Sequence, residues 1–284
     1  MSAPASPDYD RLLVEPPFRF DMAIRRSAGA FFRNDPRATE TLLPERQELL
    51  RKHPDRHAAL RPRGRELLAE AAGLATDLNG SSLTLTPGPG GWDTAACRIL
   101  GGIWEPDFLL LRPEGDDFIL EGGVLCFPSS WSLEEKLGHP LRWIHEPVPT
   151  LNARLGGRVG TFLQSLKPGI EWERVNWGIA GTPLLNLHPS IEHPRLEEGA
   201  TLSSAWLRVE HQALRLLPES GGILFGIRIT LHRLDNLARN RTAALRLAEL
   251  LETMPQAIAD YKGLAQARNP LVRQLRKPGG TEAP

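Results

Sequence analysis

The chain has little cysteine. Cys97 and Cys126 are its only two in 284 residues. That is too few for a four-cysteine zinc or iron–sulfur site within one chain, and their separation is far beyond a C-x-x-C redox pair. In a reducing compartment no disulfide between them is expected. Lysine is also scarce, with five among 34 basic residues. Arginine carries the rest, and its planar fork suits carboxylate recognition. The formal net charge is zero, which gives no general affinity for nucleic acid or an anionic membrane. No apolar run reaches the ~18 residues of a membrane span. The opening Met-Ser-Ala-Pro-Ala-Ser-Pro-Asp lacks an apolar signal core, so a cytoplasmic location is expected. A dinucleotide loop is missing too: Gly88-Pro-Gly-Gly91 lacks the strand–turn–helix context, and its proline spoils the fit. Redox chemistry in such a chain would need a cofactor held by histidine or one thiolate, with electrons supplied by another protein.

The residues present read as an α+β protein. A proline-rich arm occupies the first 20 residues. Helices are expected over Pro44–Lys52 and Arg61–Leu78, the second ended by Asn79-Gly80. Ser81–Thr86 alternates as a short strand before the Pro87–Gly91 loop. Strands at Asp107–Leu111 and Phe118–Phe127 flank a hairpin signal. Short helices follow at 132–137, 141–145 and 152–166. Strands then return at Trp172–Ala180, Trp206–Leu217 and Gly222–His232. A helix over 235–262 is split by Pro255, and the last 20 residues read as frayed. The order implies one antiparallel sheet with helices on one face. The expected division is an N-terminal arm and helices (1–80), a core (81–235) and a C-terminal helix and tail (236–284).

The densest stretch is Cys126–Pro149, with two tryptophans, two histidines and four prolines. Pro147 and Pro149 close it, so His145 sits at a stiff chain reversal. An imidazole held this way suits a haem or metal site, and equally a turn histidine bonded to a backbone carbonyl. Cys126 is the other route to haem ligation, or simply a small buried hydrophobe. His139 reads as structural, and His188 and His193 as exposed loop residues. Alternation in Leu207–Gln212 puts Arg208, Glu210 and Gln212 on one strand face. That is a cation-binding carboxylate aimed into a pocket, or a solvated face with a cross-strand ion pair. Arg228, Thr230 and His232 on the facing strand extend the same charge network. In Glu173-Arg-Val-Asn-Trp177, Asn176 offers an amide donor and Trp177 a cofactor wall. Arg154 and Arg158 share a helix face, for haem propionates or for solvent.

Several of these segments resemble the haem-dependent oxidative N-demethylase alpha-subunit-like family. They are Cys126-Phe-Pro-Ser-Ser-Trp131, Lys136-Leu-Gly138, Ile144-His-Glu-Pro-Val-Pro149, Glu173–Trp177, and Leu207–Gln212 through Ile227-Arg228. The resemblance spans about residues 105–235 in order, with weaker similarity over Phe18–Leu60. It implies a PAS-like domain binding haem b, with His145 as iron ligand and Cys126 second. It also implies O2-dependent oxidation of a small secondary amine such as dimethylamine, with Glu210, Asn176 and Gln212 around the substrate. Arg154, Arg158, Trp177 and Arg228 are the expected haem neighbours. NADPH, flavin and a 2Fe–2S cluster are expected on a partner reductase. The family often carries arginine where this chain has His211. The rival reading is a PAS-like haem-binding gas sensor or binding module without turnover, and a third is a relative without haem.

Overall fold

A computed structural model describes residues 8–19, 22–29, 31–80 and 83–277. The apolar runs form an antiparallel sheet of seven strands among these residues: β1 (Arg25–Arg26), β2 (Ala58–Leu60), β3 (Asp107–Glu114), β4 (Asp117–Val124), β5 (Glu171–Ala180), β6 (Trp206–Leu216) and β7 (Ile223–Arg233). Their spatial order is β1-β5-β6-β7-β3-β4-β2. The five long strands follow the expected segments. The two short edge strands come from ahead of residue 81, where β1 pairs with β5 and β2 with β4.

Strand alternation divides the sheet into two faces. The front carries Arg174 and Asn176 of β5, Arg208, Glu210 and Gln212 of β6, and Ile227 and Ile229 of β7, as the pairing register shows. The connection between β4 and β5 covers this face with helices Leu133–Lys136, Leu141–Ile144 and Leu151–Gln164. Phe162 of the last meets Trp172 edge-on at 5.5 Å. The back carries Trp177, Val209, His211 and Arg228. One half packs on Phe31, Phe32, Trp104 and helix Arg65–Asn79. A Cβ on Gly226 would stand 2.6 Å from both phenyl rings, so only glycine lets them lie flat on the sheet. The other half buries Trp177, Ile179, Leu207 and Val209 against helices Arg241–Thr253, Gln256–Tyr261 and Arg268–Arg276. The expected α+β class holds. Its one-face layer is the central connection, and the terminal extensions cover the back.

Local differences have physical reasons. The first long helix runs Pro36–Lys52, straight through Pro44. The second starts at Arg65, because 58–64 are spent on β2 and a 3₁₀ turn; Gly80, at φ +79°, ends it as expected. Ser81 and Ser82 lie outside the described residues, and Leu83–Thr86 form no strand. Thr94–Ile103, unassigned by periodicity above, is a helix capped by Asp93. Pro255 splits the C-terminal helix, and a second break falls where the Asn240 side chain caps the next helix. Beyond it, Arg268–Arg276 is a helix burying Leu271, Val272 and Leu275, an apolar stripe that its basic residues mask.

One buried ion pair ties three parts of this fold. Arg46 and Asp107 have side chains 0% and 1% exposed and lie 2.5 Å apart. Arg46 also donates to the carbonyls of Gly101 and Pro106. Asp107 accepts the backbone N–H groups of Cys126 (2.8 Å) and Phe127 (2.9 Å). Removing one partner of a buried pair leaves an uncompensated charge, which costs about 3–5 kcal/mol. Asp107→Ala should therefore lower the urea midpoint steeply. Glu48→Ala, in the exposed Glu48–Arg51 pair, should leave it nearly unchanged; equal shifts would refute the ranking.

Candidate active site

The central feature of the front face is a polar strip across β5 and β6. Asn176 stands directly opposite Glu210, and Arg174 opposite Gln212. Asn176 Nδ2 donates to Glu210 Oε2 at 3.1 Å, and Gln212 Nε2 donates to the same oxygen at 2.8 Å. Glu210 Oε1 accepts no hydrogen bond among the described residues. On β7 the neighbours are Ile229 opposite Glu210 and Ile227 opposite Gln212, both buried. The strip is thus a carboxylate oriented by two amides and walled on one side by aliphatic carbon.

His145 caps the helix Leu141–Ile144, its N–H donating to Leu141 O at 2.9 Å. Its carbonyl accepts Val148 N at 3.0 Å, which closes the reversal before Pro149. Burial pushes the imidazole below its ordinary pKa, the Arg174 guanidinium pushes the same way, and Asp117 opposes. The ring is therefore neutral at pH 7 and stands in the field of the strip. It makes no hydrogen bond among the described residues, so it is not the carbonyl-bonded turn histidine of the structural reading.

The Cys126–Ser129 stretch is fixed from both sides. Asp107 takes its amides, as above. Arg208, 4% exposed, donates to Phe127 O and Pro128 O (3.1 Å each), Ser129 Oγ (2.8 Å), Leu184 O (3.2 Å) and Leu185 O (2.7 Å). Burial lowers its pKa to about 10, so it remains charged. Arg208 shares the face of Glu210 as expected, but it is a buried clamp on loop carbonyls and not part of a solvated face. Cys126 is fully buried, and burial pushes its thiol up to about 12. It is a neutral thiol here, not a thiolate.

Four expected haem neighbours lie elsewhere. Trp177 points to the back, against the C-terminal helices. Arg228 also faces the back, with a bidentate grip on Glu105 and its guanidinium over the Phe31 ring. Arg154 and Arg158 are exposed and make no ion pair among the described residues. The hairpin network is accordingly His211–Thr230–His232 on the back, and Glu210 has no part in it. His188 is buried, bonded to Ser190 and Glu134, and not an exposed loop residue. Sequence reading missed Arg174 and Lys262. Alternation from Asn176 would have placed Arg174 on the strip. Lys262 comes from the C-terminal segment, and its Nζ donates to Trp177 O at 2.7 Å.

A family model described as "Haem-dependent oxidative N-demethylase, alpha subunit-like" matches residues 35–272. The chain belongs to this family. The match takes in the whole front-face strip, the His145 reversal, the Arg208 clamp and Lys262. The N-demethylase family is one of haem-dependent oxidoreductases by its description, which names an alpha subunit. No helix among the described residues is long and apolar enough to cross a membrane.

The back-face histidines give a pH prediction. Burial chiefly, then the charges of His232 and Arg228, hold His211 down at about 4, while Glu173 opposes and Arg25 assists. His57, His188 and His232 are lowered in the same direction by burial. Unfolded histidines take up protons first, near pH 6.5, so the unfolded state binds more protons below that pH. Stability should be level above about pH 6.5 and fall from there to about pH 4. His211→Gln should flatten part of that slope in urea titrations at pH 7.5, 6 and 4.5. An unaltered slope would clear His211 of a share in it.

Proposed function

We propose that this chain is a catalytic haem subunit of an oxidative N-demethylase, built on a PAS-like module. His145 holds haem b at the front face, and Glu210, Asn176 and Gln212 bind a small secondary methylamine beside it. The order of the five long strands supports the PAS-like reading: second, first, fifth, fourth, third, with helices inserted between the second and third. One observation carries the proposal. His145 is a neutral imidazole without a hydrogen bond among the described residues, and Arg174 of the strip is among the charges that act on it. Neutral imidazole is the form that binds a metal. No three His, Cys, Asp or Glu residues among those described converge on a metal ion. A single protein ligand fits a metal that arrives in a macrocycle with four nitrogens of its own.

Haem, when bound, supplies the redox centre at which O2 is consumed. The chain's own residues do the rest. Glu210 Oε1 accepts an N–H of the amine and offsets its desolvation. Asn176 and Gln212 hold the carboxylate in one rotamer, which fixes the methyl carbon relative to the His145 side. Ile227 and Ile229 keep the strip's flank dry. Oxidising the methyl group uses O2, two electrons and two protons, and gives a hemiaminal and water. The hemiaminal C–N bond then breaks to release the shorter amine and formaldehyde. Two cysteines and no nucleotide loop leave the electrons to a separate reductase carrying NADPH, flavin or a 2Fe–2S cluster. A cytoplasmic setting fits that supply.

Three measurements test this. The purified chain should show a Soret band that His145→Ala loses or shifts; an identical spectrum and haem content would remove His145 as ligand. Glu210→Gln should retain fold and haem while weakening amine-induced spectral shifts by ~10-fold or more, as expected for a charged hydrogen-bond acceptor. Formaldehyde should form from NADPH, O2 and amine only when a reductase is added. Release by the chain alone would point to a nicotinamide site elsewhere in it.

A further inference from the structure

Glu210 stands between unlike neighbours. Its register partner on β5 is Asn176, and its partner on β7 is Ile229. Residues directly opposite in an antiparallel pair hold their Cβ atoms ~4.5–5.5 Å apart, so both side chains border the carboxylate. The two amide donors reach one oxygen only. Asn176 comes from β5 and Gln212 from two residues along β6, and both donate to Oε2. Arg208, two residues the other way, is turned onto loop carbonyls. A ligand that donates to Oε1 therefore meets the flank that β7 supplies. That flank is aliphatic: Ile227, Ile229 and Leu231 succeed one another on the front face, opposite Gln212, Glu210 and Arg208.

A nitrogen donating to Oε1 sits ~3 Å from that oxygen. An alkyl group on it then comes into contact with the side chain that borders the carboxylate on the open side. Ile229 is that side chain. It is 9% exposed and belongs to the main core cluster, so its neighbours hold it in place. Branching at Cβ restricts its χ1, so it does not swing aside as a longer unbranched residue would. We infer that Ile229 is a specificity-determining residue, which limits the length of the second alkyl group on the amine. Methyl fits beside it and propyl does not. The proposed site takes small secondary methylamines, and Ile229 is what keeps them small. Added methylenes ordinarily favour contact with an apolar wall by about fourfold each. Affinity that falls with chain length is therefore the mark of a wall with no room left.

This inference rests on the strip being the amine site, and the two fail differently. The purified full-length chain is titrated calorimetrically with dimethylamine, N-ethylmethylamine and N-methylpropylamine at one pH. The wild-type chain should bind dimethylamine ~10-fold or more tightly than N-methylpropylamine. Ile229→Val removes one carbon and should bring N-ethylmethylamine level with dimethylamine. Ile229→Ala removes three and should reverse the order, with N-methylpropylamine bound most tightly. Melting curves establish that each variant is folded, and the Ile229→Val result decides if Ile229→Ala is not. A wild-type affinity that does not fall with length overturns the inference, as does a wild-type order retained by every folded variant, or no binding of any amine. Glu210→Gln should weaken all three amines. If it does so while the Ile229 variants keep the wild-type order, the amine site stands and this inference alone fails. If Glu210→Gln changes nothing while the Ile229 variants shift the order, the Glu210 assignment alone fails.

Discussion

Asp107 accepts the amides of Cys126 and Phe127, and Arg208 donates to the carbonyls of Phe127 and Pro128. This stretch leaves the sheet at Val124; no named strand runs beside Cys126 and Phe127, and Leu187 bridges its far end, its N–H donating to Pro128 O at 3.0 Å. Buried backbone groups without partners are expensive. Here charged side chains take the place of a neighbouring strand. Each charge needs its own compensation, and Asp107 receives it from Arg46, which is wholly buried. Arg208 is compensated by five oxygens in place of a carboxylate. The front face depends on this grip, because the loop so held begins the helical connection that covers the strip and carries His145.

The same strands give two different polar surfaces. On β6, Glu210 faces the front with two amides, and His211 faces the back with Thr230. Adjacent residues point to opposite sides, so a one-residue slip in the β5–β6 register would exchange the two sets. The apolar residues resist such a slip. Leu207 and Val209 are fully buried against the C-terminal helices, and Ala213 is fully buried in the core shared with the N-terminal segments. A shift would bring Arg208, Glu210 and Gln212 into that packing. Burial on the back thereby sets the geometry of chemistry on the front.

Period-two patterning made much of this legible. The alternation in Leu207–Gln212 and Trp172–Trp177 contains both the Glu210 strip and its partner Asn176. The prolines around His145 mark the reversal that presents it. Patterning failed where partners come from distant sequence. Nothing near Arg208 announces that five oxygens from two loops will surround it. Nothing near Lys262 shows that a C-terminal segment will reach the edge of β5. Trp177 and Arg228 do not share the strip's face for a simpler reason: each stands one position out of phase with it, Trp177 beside Asn176 and Arg228 opposite His211. Arg154 and Arg158 share a helix face, but that helix turns it to solvent. The C-terminal helix is hard to read because its three arginines interleave with the three apolar residues that dock it.

The carboxylates of the sheet differ in what holds them, and Glu171, like Glu210, is held by neutral donors, here the Ser27 hydroxyl and the Phe31 amide. Asp107, Glu105 and Glu121 each meet a guanidinium directly, from Arg46, Arg228 and Arg112 respectively. Such pairs neutralise the carboxylate in place and leave little for a ligand. Glu210 is instead held by neutral amides, both on one oxygen. Amides fix its orientation without cancelling its charge, and the second oxygen keeps its lone pairs.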